Sequence, residues 1–243
     1  MTDFDLQPDA TCDGGDLDCG SGLLLIIRSA MAPLPPSGVL LVKSREVSVK
    51  EDLPAWCRMV GHSLLSQVTA EGGYTHYFLR KKDDDQQLAK DLERARAHVW
   101  QVRVRWNEGM AGKVTVRNHG FQVGQPASFD TEDAAPSALE FLLAAIAGAI
   151  TVAFQWRLSR QGATVFALEV VAKAKSQNIL YFLGVEDEGS PALDSVEVSV
   201  YVDADADADL LQRSLDETLQ RCPVTRTLLQ NCAVQTRLSI IGS

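Results

Sequence analysis

The chain has 243 residues, enough for one large domain or two smaller ones, and its composition is that of an ordinary globular protein. Its net charge of −9 argues against a nucleic-acid partner, because binding to phosphates requires clustered Lys and Arg. Five scattered cysteines predict free or catalytic thiols in a reducing cytoplasm rather than a disulfide scaffold. The acidic start, with Asp3, Asp5 and Asp9, lacks the basic region of a signal peptide. The four histidines show no metal-ligand spacing, so we expect neither a metal nor another cofactor.

Residues 1–82 predict a compact β-α-β-α-β-β unit. Residues 23–34 form its first apolar segment, and residues 74–81 its closing strand. Ser48 and Glu51 have the spacing of a capping box at the start of the second helix. The apolar stripe predicted for that helix consists of Leu53, Trp56, Cys57, Val60, Leu64 and Leu65.

Residues 83–97 are charged and polar, and we interpret them as an exposed linker that is helical from residue 87. The remaining residues, 98–243, predict a second domain. Trp100 to Trp106 alternate in the manner of a strand. Two further strands are predicted at residues 113–116 and 121–123, around a turn.

Residues 136–161 form the central helix of this second domain. The uncharged run, residues 141–154, is shorter than the roughly 20 residues that cross a bilayer, so we expect a buried helix and no membrane association. Gly162 is placed to end the helix. Small residues in its middle predict close packing of another element against Ala144, Ala145, Ala147, Gly148 and Ala149.

The last eighty residues predict a strand pair at 165–173 and 179–185, then a strand whose valines repeat every second residue from Val196 to Val202. The Asp-rich residues 203–209 suit a solvated loop with an N-cap Asp better than a calcium site. A helix with leucines at positions 211, 215 and 219 follows, then Cys222-Pro223, a second helix and a final strand at 234–241.

Cys19 is the first candidate for chemistry, because it immediately precedes a predicted helix start. Free backbone N–H groups there favour a thiolate, and the glycines that follow leave its sulfur accessible. The structural alternative is a small residue in a tight turn. Cys57 lies on the apolar stripe and suits a buried packing role, while Cys12 and Cys232 lack such a setting.

The stretches CDGGDLDCGSG, EDLPAWCRMVGHSLL and GGYTHYFLRKK resemble the TusA/SirA family of small sulfur carriers over residues 12–82. The resemblance implies that Cys19 carries sulfur as a persulfide and exchanges it with a donor or acceptor protein. Both prolines of the family's Cys-Pro-x-Pro motif are absent, since Gly20 and Gly22 occupy their positions.

Cys222 is the second candidate, between two helices and in front of Pro223, where the dipole of the following helix can acidify a thiol. The alternative is a small residue at a helix–helix corner.

The stretches PSALEFLLAAIAGAI and RCPVTRTL resemble the OsmC/Ohr family of thiol peroxidases over residues 98–243. The resemblance implies an intertwined homodimer with the central helices packed together. It also implies that Cys222 is the second cysteine of a two-cysteine cycle, with Glu140 as a helper carboxylate and Arg117 as the candidate helper arginine. The attacking cysteine, however, falls on Ala149, which cannot form a sulfenic acid or a disulfide.

The sequence therefore predicts an α+β protein in which a two-layer β-α-β-α-β-β sandwich precedes an OsmC-like domain. Three functions stay open. The first is a sulfur carrier or relay, with sulfurtransferase activity, that uses Cys19 and Cys222. The second is a one-cysteine organic hydroperoxide reductase that uses Cys222. The third is a non-catalytic dimeric scaffold or small-molecule binding domain.

Overall fold

The computed structural model describes residues 7–82, 86–125 and 135–241. The chain forms two compact units: the first contains the residues up to Val99 together with Ser159–Gly162, and the second contains Trp100–Leu158 and the residues from Ala163 onward. Asp3 and Asp5 of the acidic start, and residues 83–85 of the predicted linker, lie outside the described residues.

The first unit has the β-α-β-α-β-β order that the sequence predicts. Its elements are β1 (Ala10–Asp13), a short π-helical turn (Cys19–Leu23), α1 (Leu24–Met31), β2 (Val39–Ser44), α2 (Val49–Val60), β3 (Ser63–Thr69), β4 (Thr75–Arg80) and α3 (Gln86–Arg96). The four strands form one sheet in the order β1-β2-β4-β3. β1 and β2 are parallel, while β4 is antiparallel to both of its neighbours.

The core of the first unit is formed by alternate strand residues and by the apolar sides of α1 and α2. Leu40 and Val42 of β2 and Tyr77 and Leu79 of β4 are completely buried, as the two-residue side-chain period of a strand requires. The helices bury Leu23, Ile27, Met31, Val49, Leu53, Trp56 and Cys57 against them. Burial of the apolar surface of each large side chain contributes about 1.5–3 kcal/mol to the free energy of unfolding.

The start and the end of α2 differ from the prediction. Ser48 has helical backbone angles and its side chain makes no capping hydrogen bond, so the predicted capping box with Glu51 is wrong. The Ser48 N–H instead donates to the Glu46 carboxylate at 3.1 Å. At the other end Gly61 adopts a left-handed conformation (φ 84°), which ends the helix. Leu64 therefore lies on β3 rather than on the helical stripe.

α3 confirms the helix predicted within the linker. It belongs to the first unit, and the Asp91 carboxylate forms an ion pair with Arg28 of α1. The Arg28 guanidinium also lies 5.2 Å from the centre of the Trp56 ring. Most of this segment is therefore a helix attached to α1.

The second unit is also an α+β structure. Its elements are β5 (Arg103–Trp106), β6 (Gly112–Val116), β7 (His119–Val123), α4 (Ala138–Arg160), β8 (Val165–Ser176), α5 (Ile179–Phe182), β9 (Leu193–Ala204), α6 (Ala208–Arg221), α7 (Pro223–Leu228) and β10 (Ala233–Ile240). Two three-stranded sheets are formed, in the orders β5-β6-β7 and β10-β9-β8. β9 is parallel to β10 and antiparallel to β8.

α4 confirms the central helix predicted for residues 136–161. It has 23 residues and a mean hydropathy of 1.8, and it is the one helix among the described residues that is long and apolar enough to span a membrane. Four of its side chains, spaced by four, are completely buried in the domain core: Ile146, Ile150, Phe154 and Leu158. Such a stripe is typical of a helix that packs on a sheet in a soluble domain.

The core of the second unit joins α4 to β9 and α6. Val196, Val198, Val200 and Val202 are at most 1% exposed, which confirms the predicted alternation along β9. α6 contributes the completely buried Leu211 and the nearly buried Leu215. The Asp207 carboxylate accepts a hydrogen bond from the Leu210 N–H at 2.6 Å, so the N-cap Asp predicted for this loop is confirmed.

Two strand predictions in the second unit are wrong. Residues 179–182 form the short helix α5, whose N-cap Asn178 accepts hydrogen bonds from two backbone N–H groups. β8 consequently pairs with β9, over twelve residues of each strand, instead of with residues 179–185. β5 begins only at Arg103, so Trp100 precedes the strand. An asparagine side chain and a long complementary partner strand outweigh the β propensity of the Ile-Leu-Tyr-Phe run.

Candidate functional site

Cys19 begins the π-helical turn that leads into α1. The preceding Asp18 caps this turn, because its carboxylate accepts a hydrogen bond from the Ser21 N–H at 2.6 Å. Gly22 has φ 111°, a left-handed conformation that residues with a side chain rarely adopt, so the glycine sets the angle between the turn and the helix. The Cys19 side chain is partly buried against the core of the first unit.

The thiol of Cys19 is less acidic than its position in the sequence suggested. Burial raises its pKa to about 11, and the carboxylates of Asp52 and Asp18 act in the same direction. Asp52 lies in the first turn of α2, so its negative charge approaches Cys19 from a second helix. The expectation that backbone N–H groups favour a thiolate is therefore corrected by burial and by two nearby negative charges.

Cys19 packs against a core cluster that includes Cys57 and Tyr77. Burial raises the pKa of the Cys57 thiol to about 11, and the charge of Cys19 adds to this effect. The pKa of the Tyr77 phenol is raised by burial in the first place and also by Cys19. Cys57 is 1% exposed, which agrees with the packing role that its stripe position predicts.

Cys222 is the N-cap residue of α7, the helix-start position that the sequence indicated. Its Sγ accepts a hydrogen bond from the Thr225 N–H at 3.4 Å, and Pro223 occupies the first helical position. The side chain is only 4% exposed, and the neighbouring Thr225 is buried as well. Cys222 is thus shielded from solvent within the second unit.

Glu140 lies in the first turn of α4 and completes a capping box with Ser137. The Ser137 N–H donates to the Glu140 carboxylate at 2.6 Å, and the Glu140 N–H donates to the Ser137 hydroxyl at 3.3 Å. These hydrogen bonds lower the pKa of Glu140. The Glu140 carboxylate therefore binds the backbone at the start of its own helix. This is a structural role, in contrast to the helper role that the family resemblance implies.

Ala149 and Arg117 occupy quite different positions. Ala149 lies on α4 next to the completely buried Ile150, and its methyl group leaves that part of the helix without a reactive side chain. Arg117 is exposed in the tight turn between β6 and β7, with φ 51°.

The sequence-predicted residues thus divide between the units, with Cys19 in the first and Cys222, Glu140 and Ala149 in the second. Sequence reasoning missed Asp52 and Tyr77 as neighbours of Cys19. The sequence shows Asp52 as an acidic residue in the first turn of a predicted helix. Its effect on Cys19, which lies in a turn much earlier in the chain, could be recognised only from the fold.

The architecture defines a two-unit protein, in which a small sheet domain carries a helix-start cysteine and a second α+β domain is built around a long apolar helix. Its first 84 residues or so are 36% identical to the sulfur carrier protein TusA of Pseudomonas putida strain W619, over all of that protein and 35% of this chain. TusA of Pseudomonas aeruginosa strain LESB58 is 33% identical over 76 residues, which are 94% of its length and 31% of this chain.

The second unit is similar to OsmC-like proteins. Residues 131–237 match the OsmC-like protein family. The fold is similar to that of the OsmC-like protein from Mycoplasma pneumoniae, with a TM-score of 0.51 and 12% identity over 59% of this chain and 98% of that one. A hypothetical protein from Aquifex aeolicus has a similar fold, with a TM-score of 0.50 and 11% identity. The similarity covers 60% of this chain and 98% of that one. Through its first unit the chain belongs to the TusA family of sulfur carrier proteins, and an OsmC-like domain follows in the same chain.

Proposed function

We propose that this protein is a sulfur carrier in which Cys19 accepts sulfur from a donor protein and passes it to an acceptor. In the loading step, the Cys19 thiolate attacks the outer sulfur of a persulfide on the donor. A bond forms between the Cys19 sulfur and the outer sulfur of the donor, and the donor's S–S bond breaks. The donor leaves as a thiolate, which takes up the proton that the Cys19 thiol lost on ionisation. Cys19 then holds the sulfur as Cys19–S–SH, and the reverse attack by an acceptor thiolate releases it.

The position of Cys19 carries this proposal. Relatives whose whole length matches 84 residues of this chain are named sulfur carriers, and Cys19 begins the turn before α1. The side chain is partly buried, whereas Gly20 and Ser21 after it are exposed, so a partner can approach from one side. Cys12 and Cys57 are buried in the core of the same unit and lack such access.

The role proposed for the OsmC-like domain is a dimeric platform rather than a two-cysteine peroxidase. Ala149 cannot attack a peroxide, and Cys222 is buried. Part of α4 is uncovered among the described residues: nothing lies within 4 Å of a Cβ placed on Gly148, and Val152 is 70% exposed. This uncovered face suits a second copy of the chain, as the family resemblance implies. We place this homodimer in the reducing cytoplasm.

Cys222 is the candidate for a second sulfur site in this scheme. Its sulfur accepts a hydrogen bond from the Thr225 N–H, so it already lies at the start of α7. Transfer from Cys19 to Cys222 requires that the α6–α7 corner opens, because the sulfur is 4% exposed.

Sulfur loading tests the proposal. The full chain is incubated with a cysteine desulfurase and free cysteine, and its cysteine-containing peptides are then mapped by mass spectrometry. We expect an adduct of about 32 Da, one sulfur atom, on Cys19. The adduct disappears in Cys19→Ser and persists in the matched control Cys12→Ser. Loading of the Cys19→Ser variant to the wild-type level would exclude the proposed role, and an adduct on Cys222 that depends on Cys19 would establish relay.

A further inference from the structure

The first unit contains a polar cavity on the side of its sheet that faces away from α1 and α2. Side chains alternate along a strand, so Lys43 of β2 and His76 of β4 lie on the opposite side from the buried Val42 and Tyr77. The cavity has a volume of about 440 Å³, which lies within the range of small-molecule sites. Its ionisable lining residues are Asp13, Lys43, Glu71, Tyr74, His76 and Arg160.

Residues 160–162, which belong to the first unit, line one wall of this cavity. Two hydrogen bonds fix this segment to the sheet side of the cavity. The Tyr74 hydroxyl donates to the Ser159 carbonyl oxygen at 3.1 Å, and the Arg160 Nε donates to the Asp13 carbonyl oxygen at 3.0 Å. The Arg160 guanidinium is thereby held at the cavity beside the end of β1.

Lys43 and His76 are directly opposite each other on neighbouring strands, where side chains are in contact range. Within the part of the chain that the structure describes, neither the Lys43 ammonium group nor the His76 ring forms a hydrogen bond or an ion pair. Burial lowers the pKa of His76, the charge of Lys43 adds to this effect, and Asp13 opposes it. Two half-buried groups that can both be positive therefore meet here without an acceptor between them.

The acidic residues of the cavity offset this positive charge only in part. Asp13 is opposite Lys43 on β1, but its carboxylate accepts a hydrogen bond from the Gly15 N–H at 2.8 Å, which ties it to the turn after the strand. Glu71 is exposed, so water and salt screen its charge. Lys43 supplies a compact positive charge and Arg160 a planar one, a combination that suits a doubly charged oxyanion.

We propose that this cavity binds a dianionic oxyanion group of the phosphate or sulfate type, with Lys43, His76 and Arg160 as its ligating residues. The oxygen atoms of the anion accept hydrogen bonds from these side chains, and its charge offsets the repulsion between Lys43 and a protonated His76. The inference goes beyond the proposed carrier function and does not depend on it, because the lining residues of the cavity do not include Cys19.

A titration of the full chain with sulfate at constant ionic strength, followed by the NMR resonances of the histidine rings, provides the test. Sulfate is the probe because its charge does not change around neutral pH. We expect the His76 resonance, assigned with His76→Gln, to shift and to saturate. The His62 resonance should stay unchanged, since its Nδ1 accepts a hydrogen bond from the Lys82 N–H and the residue does not line the cavity. A His76 resonance that does not shift, or that never saturates, would overturn the inference in the wild-type protein itself.

Lys43→Gln should weaken sulfate binding roughly tenfold, because it removes a hydrogen bond between two charged groups. Lys50→Gln is the matched control, since it makes the same change of charge at an exposed position in the first turn of α2 and should keep the wild-type affinity. Affinity should also rise as pH falls through the lowered pKa of His76, because protonation adds a positive charge to the cavity. Wild-type affinity in Lys43→Gln, or an affinity that does not depend on pH, would contradict the proposed ligating residues.

Two further probes define the ligand group. Acetate carries a single charge and should bind roughly tenfold more weakly than sulfate. Acetate binding as tight as that of sulfate would overturn the assignment of a dianionic group. Glycerol 3-phosphate and inorganic phosphate distinguish the two sources of such a group. Tighter binding of glycerol 3-phosphate would support an organic phosphate as the ligand, and equal binding would support the free anion.

Discussion

Asp52 is expected to slow the reactions of the Cys19 thiol, and removal of its charge should accelerate them. Since the pKa of Cys19 is raised to about 11, only about one thiol in ten thousand is ionised at pH 7. Asp52 is exposed at the start of α2, so the interaction is screened by water. In water, one unit charge changes the free energy of ionisation of a thiol by at most about 1 kcal/mol at contact distances, so we expect an effect of roughly half a pH unit.

Asp52→Asn should therefore raise the rate of Cys19 alkylation at pH 7 roughly threefold, because the rate below the pKa follows the thiolate fraction. The assay is the rate of iodoacetamide labelling of the Cys19 peptide, measured by mass spectrometry. Glu51→Gln is the matched control, since Glu51 is the adjacent exposed carboxylate in the same first turn and is not among the groups that raise the pKa of Cys19.

Salt provides a second control. In 1 M salt the Debye length falls to about 3 Å, so the difference between the wild type and Asp52→Asn should shrink. In both proteins the rate should rise about tenfold per pH unit until pH approaches 11. Equal acceleration in Glu51→Gln and Asp52→Asn, or none in either, would refute the assignment of Asp52 as the charge that acts on Cys19.

Three further predictions concern the second unit. Phe154→Ala should lower the free energy of unfolding, measured by denaturant titration, by about 3–5 kcal/mol, because it leaves a cavity at a completely buried site. The control Val152→Ala, on the exposed face, should change the stability of the monomer by less than about 0.5 kcal/mol. Ser137→Ala should lower the free energy of unfolding by about 1 kcal/mol, because it removes the N-cap of α4. Since capping lowers the pKa of Glu140, the stability that this carboxylate adds is present at neutral pH and is lost as pH falls through the lowered pKa. Cys222 should react with iodoacetamide only under unfolding conditions; rapid labelling in native buffer would contradict its burial.

The elements whose signals are local and repeated could be predicted from the sequence alone. Four valines at a spacing of two placed β9, and a hydrophobic stripe at helical spacing placed α6, because each pattern is a direct consequence of one backbone geometry. The thiols at helix starts were also visible, since Cys19 and Cys222 are marked by the glycines or the proline beside them.

Features that depend on residues distant in sequence could be seen only in the folded chain. β8 pairs with β9 because a twelve-residue partner offers more hydrogen bonds than the run at 179–185, which Asn178 caps as a helix. The capping box expected at Ser48 is absent because Ser48 has helical backbone angles, whereas Ser137 and Glu140 do form one. The acidity of Cys19 likewise reflects burial and the charge of Asp52, which meets Cys19 only in the fold.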